Sequence, residues 1–446
     1  MAISFTPQQQ KVIDLHNRNI LVSAAAGSGK TAVLVERIIR MICREEEPVD
    51  IDRLLIVTFT NAAAAEMRER ISLGINRELA LHPESEHLQK QAALLHNAQI
   101  TTIDSFCMFL LKNHFNEIGI DPAFRVMDEG EKKLLIQDVL AQLLEDKFAQ
   151  GEEAFHYCVE YFCTGGREKV LEDYILELYQ FAESHPWPEE WLEERKKDYD
   201  STEECLEQTD YGKYLMGHIR SMLESCLELC REIQQLCHEP DGPYMYGELV
   251  DQELEQLERL LRLDSLEGYA AHIPAVTFGR LPSKKDESVD PFKRELAKEL
   301  RGELKEVLKS LGERFFATPL PLAASQMAAC KEPVNTLIDL ALEFRRRLQE
   351  KKQENKVVDF GDMEHYALEI LLEGRDGEIF PSQVALEYRQ YFKEILIDEY
   401  QDSNLVQEYL LRAVSGEEDG QYNRFMVGDV KQSIYKFRLA RPELFL

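Results

Sequence analysis

The stretch LVSAAAGSGKTAVLVERII, residues 21–39, decides the fold. It begins as an apolar run typical of a buried strand, turns through several small residues, and continues with the apolar spacing of an amphipathic helix. Its middle part, AAAGSGKT, fits the loop that binds nucleotide phosphates, with Ala24 where the pattern normally has its first glycine. The residues predicted to bind the nucleotide are Ala24, Ala25, Ala26, Gly27, Ser28, Gly29, Lys30 and Thr31.

Each part of this loop has a chemical role on a phosphate. Gly27 and Gly29 lack the Cβ that would obstruct backbone N–H groups turning toward the anion. Lys30 would reach the β and γ phosphates, the Thr31 hydroxyl would hold Mg²⁺, and the following helix would offer its positive end. The alternative is a chance turn of small residues between a strand and a helix. It is disfavoured because strand, lysine, threonine and helix all occur in the required order.

The segments around the loop alternate between strand-like and helix-like patterns. NILVSA, RLLIVTF and AQITTI are short apolar runs, and helical patterns such as TAVLVERIIRMI and NAAAAEMRERI lie between them. The strand pattern returns after residue 357 in EILIDEYQD and RFMVGDV. Alternation of this kind predicts an α/β fold with a parallel sheet flanked by helices.

The middle of the chain has a different pattern. Long stretches rich in Leu, Glu, Lys and Gln, such as EKKLLIQDVLAQLLEDKFAQ, carry apolar residues at helical spacing. We therefore expect one α/β domain formed by residues 1–126 and 357–446. A large all-helical domain, residues 127–356, is predicted to be inserted into it.

An acidic pair lies at the end of one predicted strand. In ILIDEYQD, Asp398 and Glu399 follow an apolar run, where the carboxyl end of a parallel strand meets a ligand. Asp398 would bind Mg²⁺, and Glu399 would act as general base on the attacking water. In a chain with 82 Asp and Glu residues, two adjacent acids can also be a solvated surface pair. The preceding apolar run and the following Gln401 and Asp402 favour the catalytic interpretation.

Composition limits the class of protein. The 446 residues are 44% hydrophobic and 30% charged, as in globular proteins, and the net charge of −30 repels nucleic acid except at a local track. No apolar run approaches the ~18 residues of a membrane helix, and the N-terminal residues lack a signal-peptide pattern. We therefore expect a cytoplasmic protein without membrane contact.

One cluster of cysteines suits a single helix face: Cys226, Cys230 and Cys237, followed by His238. We expect buried helix cysteines there, with a metal site as the alternative.

Five motifs connect the chain to a known family. AAAGSGKT, TFTNAAAAEMRERI, TTIDSFC, LIDEYQD and VGDVKQSIYKFR occur in the order of motifs I, Ia, Ib, II and III of superfamily 1 helicases. The chain resembles the helicases related to UvrD, Rep and PcrA, and its longer phrases resemble most the AddA helicase-nuclease subunits, the counterparts of RecB. The resemblance implies a RecA-like P-loop NTPase fold. It also implies an ATP- and Mg²⁺-dependent 3′ to 5′ DNA helicase acting in double-strand break repair and recombination.

The same resemblance assigns roles around the nucleotide. Gln9 matches the glutamine that reads the adenine edge, although it is one of three consecutive glutamines and could be a surface residue. Gln432 matches the glutamine that couples the γ phosphate to the DNA track, and Arg438 matches an arginine near that phosphate. With Lys30, Asp398 and Glu399, these two residues complete the predicted catalytic set.

The resemblance further implies a track for single-stranded DNA. Because every base has a π face, translocation needs aromatic platforms and phosphate donors. Phe59, Tyr435 and Phe437 match base-stacking positions, and Thr60, Asn61, Thr102 and Ser105 match phosphate-contacting positions. Without the motifs, Phe59 would be interpreted as a core residue. Asp104 stands where relatives often carry histidine, so the sequence departs from the family pattern at this position. The other implied partners are duplex DNA ends and a nuclease subunit like AddB.

The sequence lacks some of the motifs that the resemblance would lead one to expect. These helicases complete hydrolysis between two RecA-like domains, whereas the sequence ends just after motif III, without motifs of the second domain or of a nuclease domain. We expect a fragment or truncated product that binds nucleotide at most weakly and neither hydrolyses ATP efficiently nor unwinds DNA alone. The alternatives are a UvrD- or PcrA-like repair helicase, a catalytically idle P-loop scaffold protein, and another P-loop enzyme such as a small-molecule kinase.

Overall fold

The computed structural model of the chain describes residues 5–25, 27–44, 46–165, 169–199, 206–284, 286–375 and 378–432, together with 441 and 444. Four of the predicted site residues lie outside these ranges: Ala26, Tyr435, Phe437 and Arg438. The described strands are β1 (Ile20–Ser23), β2 (Leu54–Thr58), β3 (Gln99–Thr102), β4 (Arg125–Val126), β5 (Val357–Val358), β6 (Leu372–Arg375), β7 (Glu378–Pro381), β8 (Glu394–Ile397) and β9 (Arg424–Gly428).

The helices account for most of the remaining described chain. Several are long and amphipathic, as the periodic stretches of the sequence predict. They are α1 (Pro7–Asp14), α2 (Lys30–Ile42), α3 (Asn61–Leu81), α4 (Glu86–Leu94), α5 (Ile103–Ile118), α6 (Glu129–Gln150), α7 (Glu153–Phe162), α8 (Lys169–Ala182), α9 (Pro188–Lys197), α10 (Asp210–His238), α11 (Gly247–Leu261), α12 (Leu266–His272), α13 (Pro291–Phe315), α14 (Leu320–Ala329), α15 (Lys331–Glu354), α16 (Phe360–Leu371), α17 (Gln383–Tyr391) and α18 (Leu405–Ala413).

A five-stranded parallel sheet forms the centre of the α/β part, in the order β1-β9-β8-β2-β3. The first strand pairs with the last, with Ile20 opposite Phe425 and Ser23 opposite Gly428. β8 lies between β9 and β2, so Asp398 and Glu399, which follow β8, lie at the end of the central strand of the sheet. The predicted α/β fold with a parallel sheet flanked by helices is confirmed. Two short strand pairs accompany the sheet, β4 with β5 and β6 with β7.

The three central strands, β9, β8 and β2, are buried on both faces, and β8 and β2 are apolar at successive positions. In β2, Leu55 and Val57 pack into a cluster with α5, α16 and α18, whereas Leu54 and Ile56 pack into a second cluster with α2 and α3. Side chains alternate between the faces of a strand, so one apolar run supplies both layers. The sheet is therefore held from two sides, and its carboxyl edge is fixed in place.

Three helices begin at that carboxyl edge with side-chain caps. Thr60 caps α3 by accepting a hydrogen bond from the backbone N–H of Ala63 at 3.1 Å, and Thr102 caps α5 in the same way. Asn404 accepts from the backbone N–H of Gln407 at 2.8 Å at the start of α18. Such caps satisfy N–H groups that the first helical turn leaves without partners. The loops beside the sheet are therefore short and fixed.

The chain divides into two compact units. One comprises Met1–Gln150, Arg167–Trp191 and Leu340–Leu446 and contains the sheet. The other comprises Gly151–Gly166 and Leu192–Asp339, and its described residues form helices around a core from α10, α11 and α13. Cys226, Cys230 and Cys237 are buried in that core, and burial raises the pKa of each thiol.

This division differs from the predicted domain boundaries after residues 126 and 356. It places 127–150 and 340–356 with the sheet, and α6 and α15 also make ion pairs inside that unit. Lys132 lies 3.1 Å from Asp359, and Arg347 lies 2.6 Å from Asp146. The domain boundaries after residues 126 and 356 remain a prediction. In the described part of the chain, none of the helices has the length and apolar character needed to cross a membrane.

Candidate nucleotide site

The loop between β1 and α2 has the backbone shape that its glycines predict. Gly27 and Gly29 have φ angles of +74° and +81°, in the left-handed region that side chains with a Cβ rarely adopt. The backbone N–H of Ala24 donates to the carbonyl of Gly428 at 3.1 Å, which ties the start of the loop to the neighbouring strand. Lys30 begins α2, so the loop leads directly into a helix N-terminus, where anions are favoured.

The two distant halves of the α/β unit meet at this loop. Lys30 Nζ lies 3.5 Å from Glu399 Oε2, across 369 residues of sequence, and the lysine side chain is 9% exposed. β1 and β8 are separated only by β9, and parallel strands end at one edge of the sheet. The structure thus brings the predicted phosphate-binding lysine and the predicted general base together.

The acidic pair after β8 is held by its neighbours. The backbone N–H of Asp398 donates to the carbonyl of Val57 at 2.9 Å, which continues the ladder with β2. Glu399 has φ +54° and ψ +43°, a left-handed conformation that is uncommon outside glycine and costs about 1–3 kcal/mol. Gln401 Nε2 donates to Glu399 Oε2 at 2.8 Å, and Gln401 Oε1 accepts from the backbone N–H of Asp429 at 2.9 Å. Gln401 therefore links the acidic pair to the segment after β9.

The electrostatics of the pair indicate that the site favours a cation. Burial, and next the charge of Glu399, raise the pKa of Asp398 to about 6, while Lys30 and Arg70 act in the opposite direction. Two carboxylates and the Thr31 hydroxyl are oxygen donors of the kind that Mg²⁺ prefers. The described residues contain no group of three His, Cys, Asp or Glu side chains suited to a metal ion. A Mg²⁺ site nevertheless often has only one or two protein ligands, because the ion keeps several waters and binds substrate phosphates directly. The donor set therefore fits this ion.

A cavity of about 450 Å³ opens beside these groups. Thr31, Asp398, Glu399 and Gln432 line it together with residues that follow β2. Gln432 Nε2 donates to Asp429 Oδ2 at 2.5 Å, so its side chain is held at the end of β9. The remaining lining residues are Thr58, Phe59, Thr60, Ala63, Glu66, Met67, Arg70, Gln401 and Asp402.

Gln9 lies against the phosphate loop rather than apart from it. Its Nε2 donates to the carbonyl of Ser28 at 2.9 Å, and its Oε1 accepts from the backbone N–H of Thr6 at 2.8 Å. Both ends of the amide thus have partners within the protein. A role in adenine recognition stays a prediction, and it requires at least one of these bonds to be exchanged.

The predicted DNA-contacting residues follow β2 and β3. Phe59 is half-buried and lines both the first cavity and an adjoining cavity of about 570 Å³. Asn61 and Ser105 are exposed. The hydroxyls of Thr60 and Thr102 accept the capping hydrogen bonds of α3 and α5, and Thr102 is only 6% exposed. Their side chains therefore support the helix ends first, and direct phosphate contact remains a prediction.

Sequence reasoning missed several side chains of this region. Arg70 lies on the first cavity and forms a 2.5 Å ion pair with Glu66, a spacing that reads in sequence as an ordinary helix surface pair. Glu364 from α16 lines the adjoining cavity beside Asp104, and burial raises its pKa to about 7. Gln407 Nε2 donates to Glu364 Oε1 at 2.7 Å. Only the order of strands places these helices beside the site.

Comparisons with known proteins agree on one family. The family model of the UvrD/REP helicase N-terminal domain matches residues 5–446. The chain is 48% identical, over 99% of its length, to an ATP-dependent helicase/nuclease subunit of Lachnoclostridium phytofermentans, of which it covers 33%. Proteins of the same name from Bacillus pumilus and Clostridium perfringens are 42% and 44% identical over 99% and 100% of the chain, which covers 36% of each. The chain thus spans about a third of the length of these curated relatives.

Proposed function

The chain belongs to the UvrD/REP helicase N-terminal domain family, and we propose that it is the nucleotide-binding motor part of an ATP-dependent, AddA-like DNA helicase. The observation that carries this proposal is the 3.5 Å approach of Lys30 and Glu399, with Asp398 beside them at the carboxyl edge of the sheet. A phosphate-binding lysine and two acids at one sheet edge are the parts that nucleotide hydrolysis requires.

Each group has a proposed task on bound ATP. Lys30 contacts the β and γ phosphates, and backbone N–H groups of the loop and of the start of α2 surround them. Thr31 and Asp398 would hold Mg²⁺, which would supply positive charge beside the phosphates and lower the pKa of Asp398. Glu399 orients the attacking water and accepts its proton. Gln401 fixes the Glu399 carboxylate through its 2.8 Å hydrogen bond, so this residue is a positioning residue.

The proposal extends from nucleotide to DNA. Phe59, Tyr435 and Phe437 would stack on bases, while Thr60, Asn61, Thr102 and Ser105 would contact phosphates. Gln432 and Arg438 would couple the γ phosphate to this track. Support comes from the cavity that Phe59 and Gln432 share with Asp398. Because the net charge is −30, any DNA contact has to be confined to such a track.

The wider biological role is proposed from the relatives. Each of the three is named as a helicase/nuclease subunit, so we propose an AddB-like partner protein. Single-stranded DNA and duplex ends would be the substrates, with 3′ to 5′ movement in break repair and recombination. A cytoplasmic location belongs to the same proposal.

Nucleotide binding tests the site in the chain itself. We expect a fluorescent N-methylanthraniloyl ATP analogue to bind in the presence of Mg²⁺, and Lys30→Ala to weaken this binding at least about tenfold, because a charge-assisted contact is lost. Lys133→Ala, an exposed site on α6, is the matched control. Equal affinities of the wild type and Lys30→Ala would favour a catalytically idle scaffold.

Hydrolysis is tested in a chimera. The chain replaces the matching third of the Lachnoclostridium phytofermentans relative, with which it shares 48% identity. We expect ATPase activity that single-stranded DNA stimulates, and we expect Glu399→Gln to abolish turnover while nucleotide binding persists. Undiminished ATPase activity of the Glu399→Gln chimera would refute the assigned base.

A further inference from the structure

Another cavity lies at the opposite edge of the sheet, near the amino ends of strands β2 and β8. It has a volume of about 390 Å³, and its lining includes Asp52 and Tyr391. Asp52 precedes the start of β2 at Leu54, and Tyr391 ends α17 shortly before β8 begins at Glu394. The nucleotide site is at the carboxyl ends of these same strands. This cavity, called here the aromatic pocket, is therefore separate from it.

Aromatic rings form much of the wall of the aromatic pocket; Tyr388 lies nearly parallel to Phe392, at 13°, and meets two other rings at steep angles. Phe109 and Tyr388 have ring centroids 6.3 Å apart at 65°, and His114 and Tyr388 have centroids 5.8 Å apart at 79°. His114 has φ −129° and ψ 22°, outside helical values, so α5 is kinked where it borders the pocket. His114 Nε2 lies 3.1 Å from the Tyr388 hydroxyl, which holds both rings in place. The pocket therefore presents several π surfaces, whose faces carry partial negative charge.

The charged groups of the pocket have one sign. Asp52 and Glu387 line it, and no Lys or Arg side chain is among its described lining residues. Asp52 Oδ1 is enclosed and receives no hydrogen bond from the described residues. An enclosed carboxylate oxygen without a donor is costly, and a nearby cation reduces that cost. Burial, and next the charge of Asp52, raise the pKa of Tyr391.

One ring of the pocket already contacts a cation within the protein. The Arg53 guanidinium lies 4.4 Å from the centroid of Tyr391, and Arg53 is not among the lining residues. Arginine over tyrosine is a favourable cation–π arrangement. The π face of Tyr391 therefore already stabilises one positive charge within the protein.

We propose that the aromatic pocket binds an organic cation, an alkylammonium or guanidinium group, between its aromatic rings and its two carboxylates. An anion would be repelled by Asp52 and Glu387, and a neutral apolar group would leave Asp52 Oδ1 without a donor. The cation can be a free amine or the basic side chain of a partner protein.

Titration with n-butylguanidinium, followed by saturation-transfer NMR on the full chain, tests this proposal. Neutral n-butylurea, of similar shape, is expected to bind at least about tenfold more weakly because it lacks charge. Asp52→Asn and Tyr391→Leu are each expected to weaken n-butylguanidinium about fivefold. Glu84→Gln, an exposed acid after α3, is the charge-matched control and should have no effect. Unchanged binding of the fluorescent ATP analogue by both variants would show that the sheet unit remains folded.

A second arm separates the two sources of the cation. Tighter binding of a blocked Gly-Arg-Gly peptide than of butane-1,4-diamine would support the pocket and point to a partner protein. The reverse order would support the pocket and point to a free amine. Equal affinity for n-butylguanidinium and n-butylurea would overturn the proposal, as would affinities that Asp52→Asn and Tyr391→Leu leave unchanged.

Discussion

Replacing Asp398 by asparagine should stabilise the nucleotide-free chain while removing its Mg²⁺-dependent function. Asp398 is mostly buried beside the second carboxylate of Glu399, and Lys30 offsets the two charges only in part. Asparagine keeps the shape of the side chain and removes the charge. The site therefore gives up stability for the capacity to bind a metal, as functional sites often do.

The magnitude follows from the titration of this carboxyl. A pKa that rises from 3.8 in the unfolded chain to about 6 in the folded chain corresponds to about 3 kcal/mol. Because the folded state holds the proton more tightly, wild-type stability falls as the pH rises from about 4 to 6 and stays lower above that range. The advantage of Asp398→Asn should therefore be small near pH 4 and reach up to about 3 kcal/mol at pH 8.

Tryptophan fluorescence during urea unfolding measures the difference in unfolding free energy between Asp398→Asn and the wild type, and it reports on the unit that contains the sheet. Trp187 and Trp191 both belong to the unit that contains the sheet, and the Trp187 ring lies 5.0 Å from that of Tyr409. Asp138→Asn, an exposed site on α6, is the matched control and should be neutral. Saturating Mg²⁺ and ATP should stabilise the wild type by about 3 kcal/mol at a hundredfold excess over Kd, and should stabilise Asp398→Asn much less.

Two results would contradict this reasoning. If Asp398→Asn and the wild type unfold at the same urea concentration at pH 8, the buried charge carries no cost. If the difference is present but equal at pH 5 and pH 8, its origin is packing rather than ionisation.

Three further predictions follow from single contacts. Arg37→Met should destabilise the sheet unit by about 3–5 kcal/mol in urea unfolding, since it leaves Glu394, 2.6 Å away and 9% exposed, buried without its partner; a loss below about 1 kcal/mol would contradict this. Gly29→Ala should cost about 1 kcal/mol or more at φ +81° and weaken binding of the fluorescent ATP analogue, so unchanged affinity would speak against the loop geometry. Gln401→Ala in the chimera should lower kcat more than about fivefold with little change in KM, because Glu399 loses its 2.8 Å donor; a change in KM alone would indicate a binding role.

Local patterns predicted the α/β part of the fold well. Apolar runs followed by helical patterns select a parallel sheet, and parallel strands end at one edge, so the positions of Lys30 and Asp398 could be placed near each other in advance. The burial of Cys226 and Cys230 also followed from helical spacing. In each case the signal comes from short local stretches of sequence.

Features that depend on distant packing could not be predicted in the same way. The left-handed conformation of Glu399 and the bridge from Gln401 to Asp429 arise from the placement of β9 beside β8. The hydroxyl of Thr102 accepts the capping hydrogen bond of α5, a role that spacing alone does not reveal beside the predicted phosphate contact. The buried Lys352, 2.8 Å from Asp362, helps to join α15 to the sheet unit, although its sequence surroundings read as an exposed helix.

The strand order has a consequence for synthesis on the ribosome. β1 acquires its neighbour β9 only after about 400 more residues have been made, which takes about 20–80 s at ordinary translation rates. Until then Ile20–Ser23 presents an apolar ribbon with unsatisfied backbone groups, the kind of edge that recruits other nascent chains. The helical unit, whose contacts are closer in sequence, can form during that interval. Slowing translation before residue 394 should therefore increase dependence on chaperones for this chain.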